Sequence, residues 1–227
     1  MKEKVKKIIA VVLTFLMSIG CVQSYPMVSA LESDYEVYPN PHMMEYQDGS
    51  FDITSNVNIV YEDGIDEYTR DRLNEVLAIK KINATTSTEV KEDQTNILVG
   101  IKGSNQYVDQ YAGEHYTVKT SNLFDQLDSY LLKVDNGKIT VLGKDTDAAF
   151  YGLTSLYHIF KQLDGTNIRN FTMEDYANVA SRGFIEGYYG NPWSTTDRIK
   201  LMEWGGYYKL NSYFYAPKDD PKHNSKW

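Results

Sequence analysis

The sequence predicts an α/β protein in two parts: a small mixed α/β domain over residues 31–178, then, over residues 179–227, the first strand, helix and strand of an incomplete (β/α)8 barrel. Three observations carry this. Between Tyr35 and Asn178, short apolar runs bounded by turn residues alternate with stretches of helical spacing. From Ser181 to Trp227 a strand, a capped helix and a second strand follow one another with so little loop that a right-handed parallel unit is the simplest arrangement. Two strands do not close a parallel barrel, because both edges of the sheet stay unpaired.

The chain opens on what reads as an address. Lys2, Lys4, Lys6 and Lys7 precede an uncharged apolar run from Ile8 to Ile19, and the small residues Val28, Ser29 and Ala30 follow. That pattern predicts a secretory signal peptide over residues 1–30, cleaved after Ala30. The run is short of the roughly 20 apolar residues of a membrane-spanning helix, so no span is expected. Lipid attachment at Cys21, which follows Gly20, is the rival reading, with Ser18 standing where a leucine is usual. Cys21 is the only cysteine, so the cleaved chain has no thiol for disulfides or metal sites.

Charge narrows the partners. The formal net charge is −8, and removing residues 1–30 takes away four lysines and one glutamate, which moves it to −11. So acidic a surface argues against nucleic acid and anionic membranes. There is no phosphate-cradling glycine loop, no nucleophile elbow and no internal repeat. His42, His115 and His223 are scattered in loops without metal-ligand spacing, and no cofactor is expected.

In the first domain, Pro39 and Pro41 bar a central strand, and two short strands are predicted at Ser50–Thr54 and Val57–Tyr61. A helix follows from about Asp66 to Lys81, with Leu73, Val76, Leu77 and Lys80 at helical spacing. Asn96–Ile101 is a compact apolar strand ended by Gly103. Ser129–Gly143 reads as a hairpin turning at Asn136 and Gly137. Asp145 or Thr146 then caps an amphipathic helix carrying Ala149, Leu153, Leu156, Ile159 and Phe160, which docks on the sheet. His158, inside it, reads as a packed or surface residue. Asn170–Asn178 is taken as the connector into the first barrel strand.

In the second part, a strand from Arg182 ends at Gly187, with Gly190 and Pro192 beyond it. Ser194 and Asp197 make an approximate capping box for a helix holding Ile199, Met202 and Trp204. Leu210–Ala216 is an aromatic-rich strand stopped by Pro217. Reactive groups of parallel barrels sit at the carboxyl ends of strands, so Gly187 and Lys218 are expected side by side on that face, about 5 Å apart. A glycine there lets a ligand approach the main chain, and a lysine offers three donors to oxygens. The blander reading makes the glycine a turn device and the lysine a surface charge. Asp219 and Asp220 could be read as an acid and base pair; adjacent residues on a loop point apart, which favours a loop-fixing role.

GFIEGYYGNPWS followed, after a helix, by KLNSYFYAPKDDPKHNSKW resembles the start of the catalytic domain of glycoside hydrolase family 84, the β-N-acetylglucosaminidases that include O-GlcNAcases and enzymes named hyaluronidases. The YAPKDDPKH segment is the more specific half. By that resemblance Gly187 contacts the bound sugar through its backbone and Lys218 hydrogen-bonds it, and the substrates are glycans or glycoproteins bearing N-acetylglucosamine. The resemblance also implies substrate-assisted catalysis, in which the sugar's 2-acetamido oxygen attacks and two neighbouring aspartates from a later strand assist. Asp219 and Asp220 do not match that pair, so no catalytic residue is assigned and the 227 residues alone are expected to be inactive. The first domain likewise resembles the α/β companion domain of families 84 and 20.

Two other readings compete. Family 20 shares Arg182-Gly183 but continues with an aspartate and then an arginine, where this chain has Glu186-Gly187 and Tyr188-Tyr189. A non-catalytic glycan-binding or adhesion module instead predicts a closed fold ending at Trp227.

Overall fold

In a computed structural model, the described residues are 34–187 and 193–215. The leader with Cys21 and Ala30, and the segment with Lys218, Asp219, Asp220 and His223, lie outside them.

The first strand, β1, spans Met43–Asp52 and so begins well before the predicted Ser50. Met44 and Tyr46 alternate toward the core while Glu45 and Gln47 face out, but the pattern is interrupted. The register shifts between Tyr46 and Ser50, and Gly49 there holds a left-handed φ of +93°. A bulge of this kind breaks the period-two signal that marks a strand. β2 (Asn56–Tyr61) matches its prediction. Helix α1 (Glu67–Ile79) is capped by Asp66, whose carboxylate accepts from the Thr69 amide at 2.8 Å, and it buries Leu73, Val76 and Leu77.

β3 (Asn83–Ser87) was hidden by its composition, since NATTS is polar and lies at the sheet's edge, where no side chain need be apolar. β4 (Asn96–Ile101) is a central strand with only Ile101 partly exposed. Helix α2 (Tyr107–His115) also escaped the sequence, having no side-chain cap and only Val108, Asp109 and Ala112 buried. A 3-10 turn at Leu123–Asp125 leads into β5 (Leu127–Asp135), which folds back on β6 (Lys138–Gly143). Their turn places Asn136 and Gly137 at φ +46° and +74°, the paired left-handed conformation that Asn-Gly supplies. Helix α3 (Thr146–Gln162) is capped by Asp145 and buries all five predicted apolar residues.

Asn170–Asn178 is not a connector. Its residues as far as Ala177 belong to strand β7 (Asn167–Ala177), which pairs antiparallel with both β1 and β5. Glu174 and Asp175 disguised it, because buried carboxylates are uncharacteristic of strands. Both are satisfied: Glu174 accepts from the amides of Lys119 and Thr120 at 2.8 and 2.6 Å, and Asp175 is bonded as described below.

The seven strands form one mixed sheet in the order β1-β7-β5-β6-β4-β2-β3, antiparallel through β6 and parallel from β6 to β3. One face carries Val57, Ile59, Ile97, Val99, Leu132, Val141 and Phe171 under α1 and α3. The other carries Val60, Leu98, Leu131 and Leu142 against Val108 and Ala112 of α2 and Leu123. These are two apolar layers about one sheet, as a mixed α/β domain requires.

Beyond the sheet, β8 (Gly183–Ile185) and β9 (Ser212–Phe214) pair in parallel, joined through α4 (Thr195–Gly206). Both strands are shorter than predicted. A Cβ on Gly183 would lie 1.6 Å from the Ser212 carbonyl oxygen, so only glycine permits the pairing. Ser194 caps α4, its hydroxyl accepting from the Asp197 amide at 3.2 Å and donating to the Asp197 carboxylate at 2.6 Å.

Candidate functional site

The carboxyl ends of β8 and β9 gather around one side chain, Glu186, which follows β8 directly. Its amide donates to the Phe214 carbonyl at 2.9 Å, carrying the parallel ladder one residue past β8. Its carboxylate is buried at 3% exposure and takes a forked pair of bonds from Arg198 of α4, Nε at 2.7 Å and a terminal nitrogen at 2.8 Å. The Trp193 amide adds a third at 3.1 Å, and the Tyr213 hydroxyl of β9 donates as well. Arg198, Tyr213 and Trp193 therefore hold Glu186 ionised, with its pKa lowered to about 2 despite desolvation. The Arg198 guanidinium also lies 4.1 Å over the ring of Tyr215, the residue after β9.

Glu186 is thus a brace. It ties the residue after β8, the helix α4 and strand β9 into one rim, with every carboxylate oxygen engaged. A carboxylate so occupied has no lone pair in reserve for proton transfer. The sequence reading passed over it, although a Glu at a strand end with an Arg twelve residues on, inside the next helix, was visible.

Gly187 stands next to that brace and is exposed. A Cβ built on it would meet nothing within 4 Å, and its φ is not left-handed. Neither crowding nor backbone strain within the described residues therefore demands a glycine there. Lys218 lies outside the described residues, as do Asp219 and Asp220. Trp193 and Tyr215, both about half exposed, flank the same rim.

Cavities lie elsewhere among the described residues. One, of about 280 Å³, sits between α4 and the strand pair, against Phe184, Met202, Leu210 and Tyr213. Another, of about 220 Å³, lies where the sheet meets the strand pair and is lined by His42, Asp128, Tyr151, Asp175, Arg182 and Lys209 among others. Its charged groups bond one another. His158 is half-buried, with Nδ1 accepting from the Tyr38 amide at 3.1 Å, and burial pushes its pKa down. Among the described residues no group of three His, Cys, Asp or Glu side chains could hold a metal, and no helix is long and apolar enough to cross a membrane.

Comparison with known proteins matches both parts of the chain. Residues 182–227 fit the family described as beta-N-acetylglucosaminidase, and residues 34–176, more than half of the chain, fit glycosyl hydrolase family 20, domain 2. The solved structure of CpGH84D is 47% identical over 84% of this chain and 32% of its own, with a TM-score of 0.81. CpGH84B is 28% identical over 84% of this chain and 31% of its own, with a TM-score of 0.67. Protein O-GlcNAcase of Rattus norvegicus is 47% identical over 45 residues, 20% of this chain and 5% of that protein. The chain therefore spans about a third of these solved relatives and a twentieth of the O-GlcNAcase. With its strand pair inside the matched β-N-acetylglucosaminidase segment and its mixed sheet in the segment that fits family 20, domain 2, the chain belongs to glycoside hydrolase family 84.

Proposed function

We propose that this chain is the amino-terminal part of a secreted β-N-acetylglucosaminidase that removes terminal N-acetylglucosamine from glycans or glycoproteins. One observation carries the reading: within the segment that fits that family, β8 and β9 run parallel in register and end beside an open main-chain position at Gly187. A glycine that the described residues do not require is accounted for by a ligand that needs the room.

In this reading residues 1–30 are the export signal, 31–178 the companion domain and 179–227 the start of the barrel. Gly187 presents its backbone to the sugar. Lys218, just past β9, donates from its ammonium to a sugar oxygen, and the Glu186 brace holds the two loops at a fixed separation. The chemistry is substrate-assisted retaining hydrolysis: the 2-acetamido oxygen attacks the anomeric carbon as the aglycone leaves with a proton, and water then opens the oxazoline. The two aspartates that assist lie on a later strand of such barrels, so none of the residues assigned here is itself catalytic.

The test uses the complete gene product and an aryl β-N-acetylglucosaminide. Gly187→Ala should leave the melting temperature unchanged, because the added methyl meets nothing among the described residues, yet raise KM, and Lys218→Ala should lower kcat/KM about tenfold or more, the worth of a good hydrogen bond to substrate. Unaltered kinetics in both would remove them from the site. A wild-type product that binds N-acetylglucosamine without hydrolysing the glycoside would make the protein a glycan-binding module instead.

A further inference from the structure

The strand pair is held at its other end by charges that the sheet domain supplies. Arg182, immediately before β8, places a terminal nitrogen 2.7 Å from the Asp128 carboxylate. Lys209, shortly before β9, places its ammonium 2.9 Å from Asp175 and 2.8 Å from the Tyr130 hydroxyl, and all three groups are buried. Asp175 is itself shared, its other oxygen accepting from the His42 amide at 3.2 Å and lying 2.9 Å from His42 Nδ1. Each strand of the pair therefore has one cation at its amino end, and each cation has its own carboxylate across the junction.

The backbone at this junction is strained on both sides. Lys209 holds φ +60° and Asp128 φ +52°, left-handed conformations that cost a side-chain-bearing residue energy. Asp128 lies where the β5–β7 register shifts between Leu127 and Tyr130, a bulge that re-aims its side chain out of the sheet. Lys209 lies just past α4, where the Leu210 amide closes on the Gly205 carbonyl at 3.0 Å, a position glycine normally takes. Glycine at position 209 would relieve the backbone and forfeit the ion pair. That lysine stands there indicates which of the two the fold keeps.

We propose that Lys209 with Asp175, and Arg182 with Asp128, are positioning residues of the glycosidase site: the companion domain clamps the amino ends of β8 and β9 so that the loops at their carboxyl ends keep a fixed separation. A buried ion pair is a weak source of stability, and in some proteins its role is instead to select one arrangement of the chain. This rests on the function proposed above; the clamp itself does not.

The experiment compares wild type, Lys209→Gly, Asp175→Asn and Asp128→Asn in the complete gene product. The last pair is partly exposed, so that variant keeps the fold if the buried ones fail. Hydrogen exchange is read at the Ser212 and Glu186 amides, which bond the Arg182 and Phe214 carbonyls across the strand pair. Exchange there should rise about tenfold or more while the amides of β4 and β6 stay protected, as local opening predicts. KM for an aryl β-N-acetylglucosaminide should rise more than kcat falls, because misplaced binding groups weaken ground-state contacts, whereas a smaller folded fraction lowers apparent kcat at constant KM. Unchanged exchange, or lost melting temperature with unchanged KM, overturns the clamp. Should the wild type hydrolyse nothing, the proposed function falls and the exchange measurement alone decides the clamp.

Discussion

Glu186 is the residue whose chemistry is most constrained, and its behaviour with pH follows from its partners. Arg198 first, then Tyr213 and the Trp193 amide, depress its pKa to about 2 from an ordinary 4.5. A carboxylate with a depressed folded-state pKa adds stability above its unfolded value and loses it as pH falls through the folded one. The rim should therefore stay braced down to about pH 4.5 and loosen progressively between there and pH 2. Trp193 emission followed in acid titration checks this, and Glu186→Gln should abolish that transition while leaving the rest of the acid unfolding curve. Gly187 and Lys218 are singled out by letter and motif; for Glu186 the sequence offers only the Arg twelve residues on, because what makes it a brace is that β9 and α4 come round to meet it.

Among the elements, those whose signal is carried by their own residues were legible. Asp66 and Asp145 cap their helices, Asn136-Gly137 turns the hairpin, and Asn96–Ile101 is apolar from Ile97 on because sheet neighbours and both layers cover it. Those whose signal lies in a partner were not. β3 is polar because it is an edge, β1 is split by its bulge, and β7 carries two carboxylates whose amide and ammonium partners are far away in sequence. β7 gives this a measurable form. As part of a connector, Phe171 would tolerate truncation; as a fully buried residue packed on Tyr35 and Tyr46, Phe171→Ala should cost about 3–5 kcal/mol in urea unfolding. A cost under about 1 kcal/mol would contradict its place in the sheet.

At the scale of the molecule, aromatic and charged contacts join the sheet domain to the strand pair. Tyr207 stacks on Tyr157 at 4.6 Å, and the Arg72 guanidinium, 7% exposed, lies 4.3 Å over Tyr207 and 4.7 Å over Phe150. At the buried pair, desolvation acts against both partners. It raises Asp175, but Lys209, His42 and Tyr130 outweigh it and hold the carboxyl below the usual range; Lys209 stays depressed despite Asp175. Asp175→Asn strands the ammonium, so it should cost about 3–5 kcal/mol near neutral pH. The Asp175 contribution is complete above its ordinary 3.8 and fades as pH falls through the lower folded value, so the urea midpoints of variant and wild type should converge in acid. A constant gap would sink the assignment. The order of the strands also has a consequence for how the chain is made. Met43 of β1 meets its partner Glu174 only after most of the sheet has been polymerised, and a ribosome adds about 5–20 residues per second. For several seconds at least, the nascent polypeptide trails an unmated β segment, which leaves it exposed to chaperones until its seventh strand emerges.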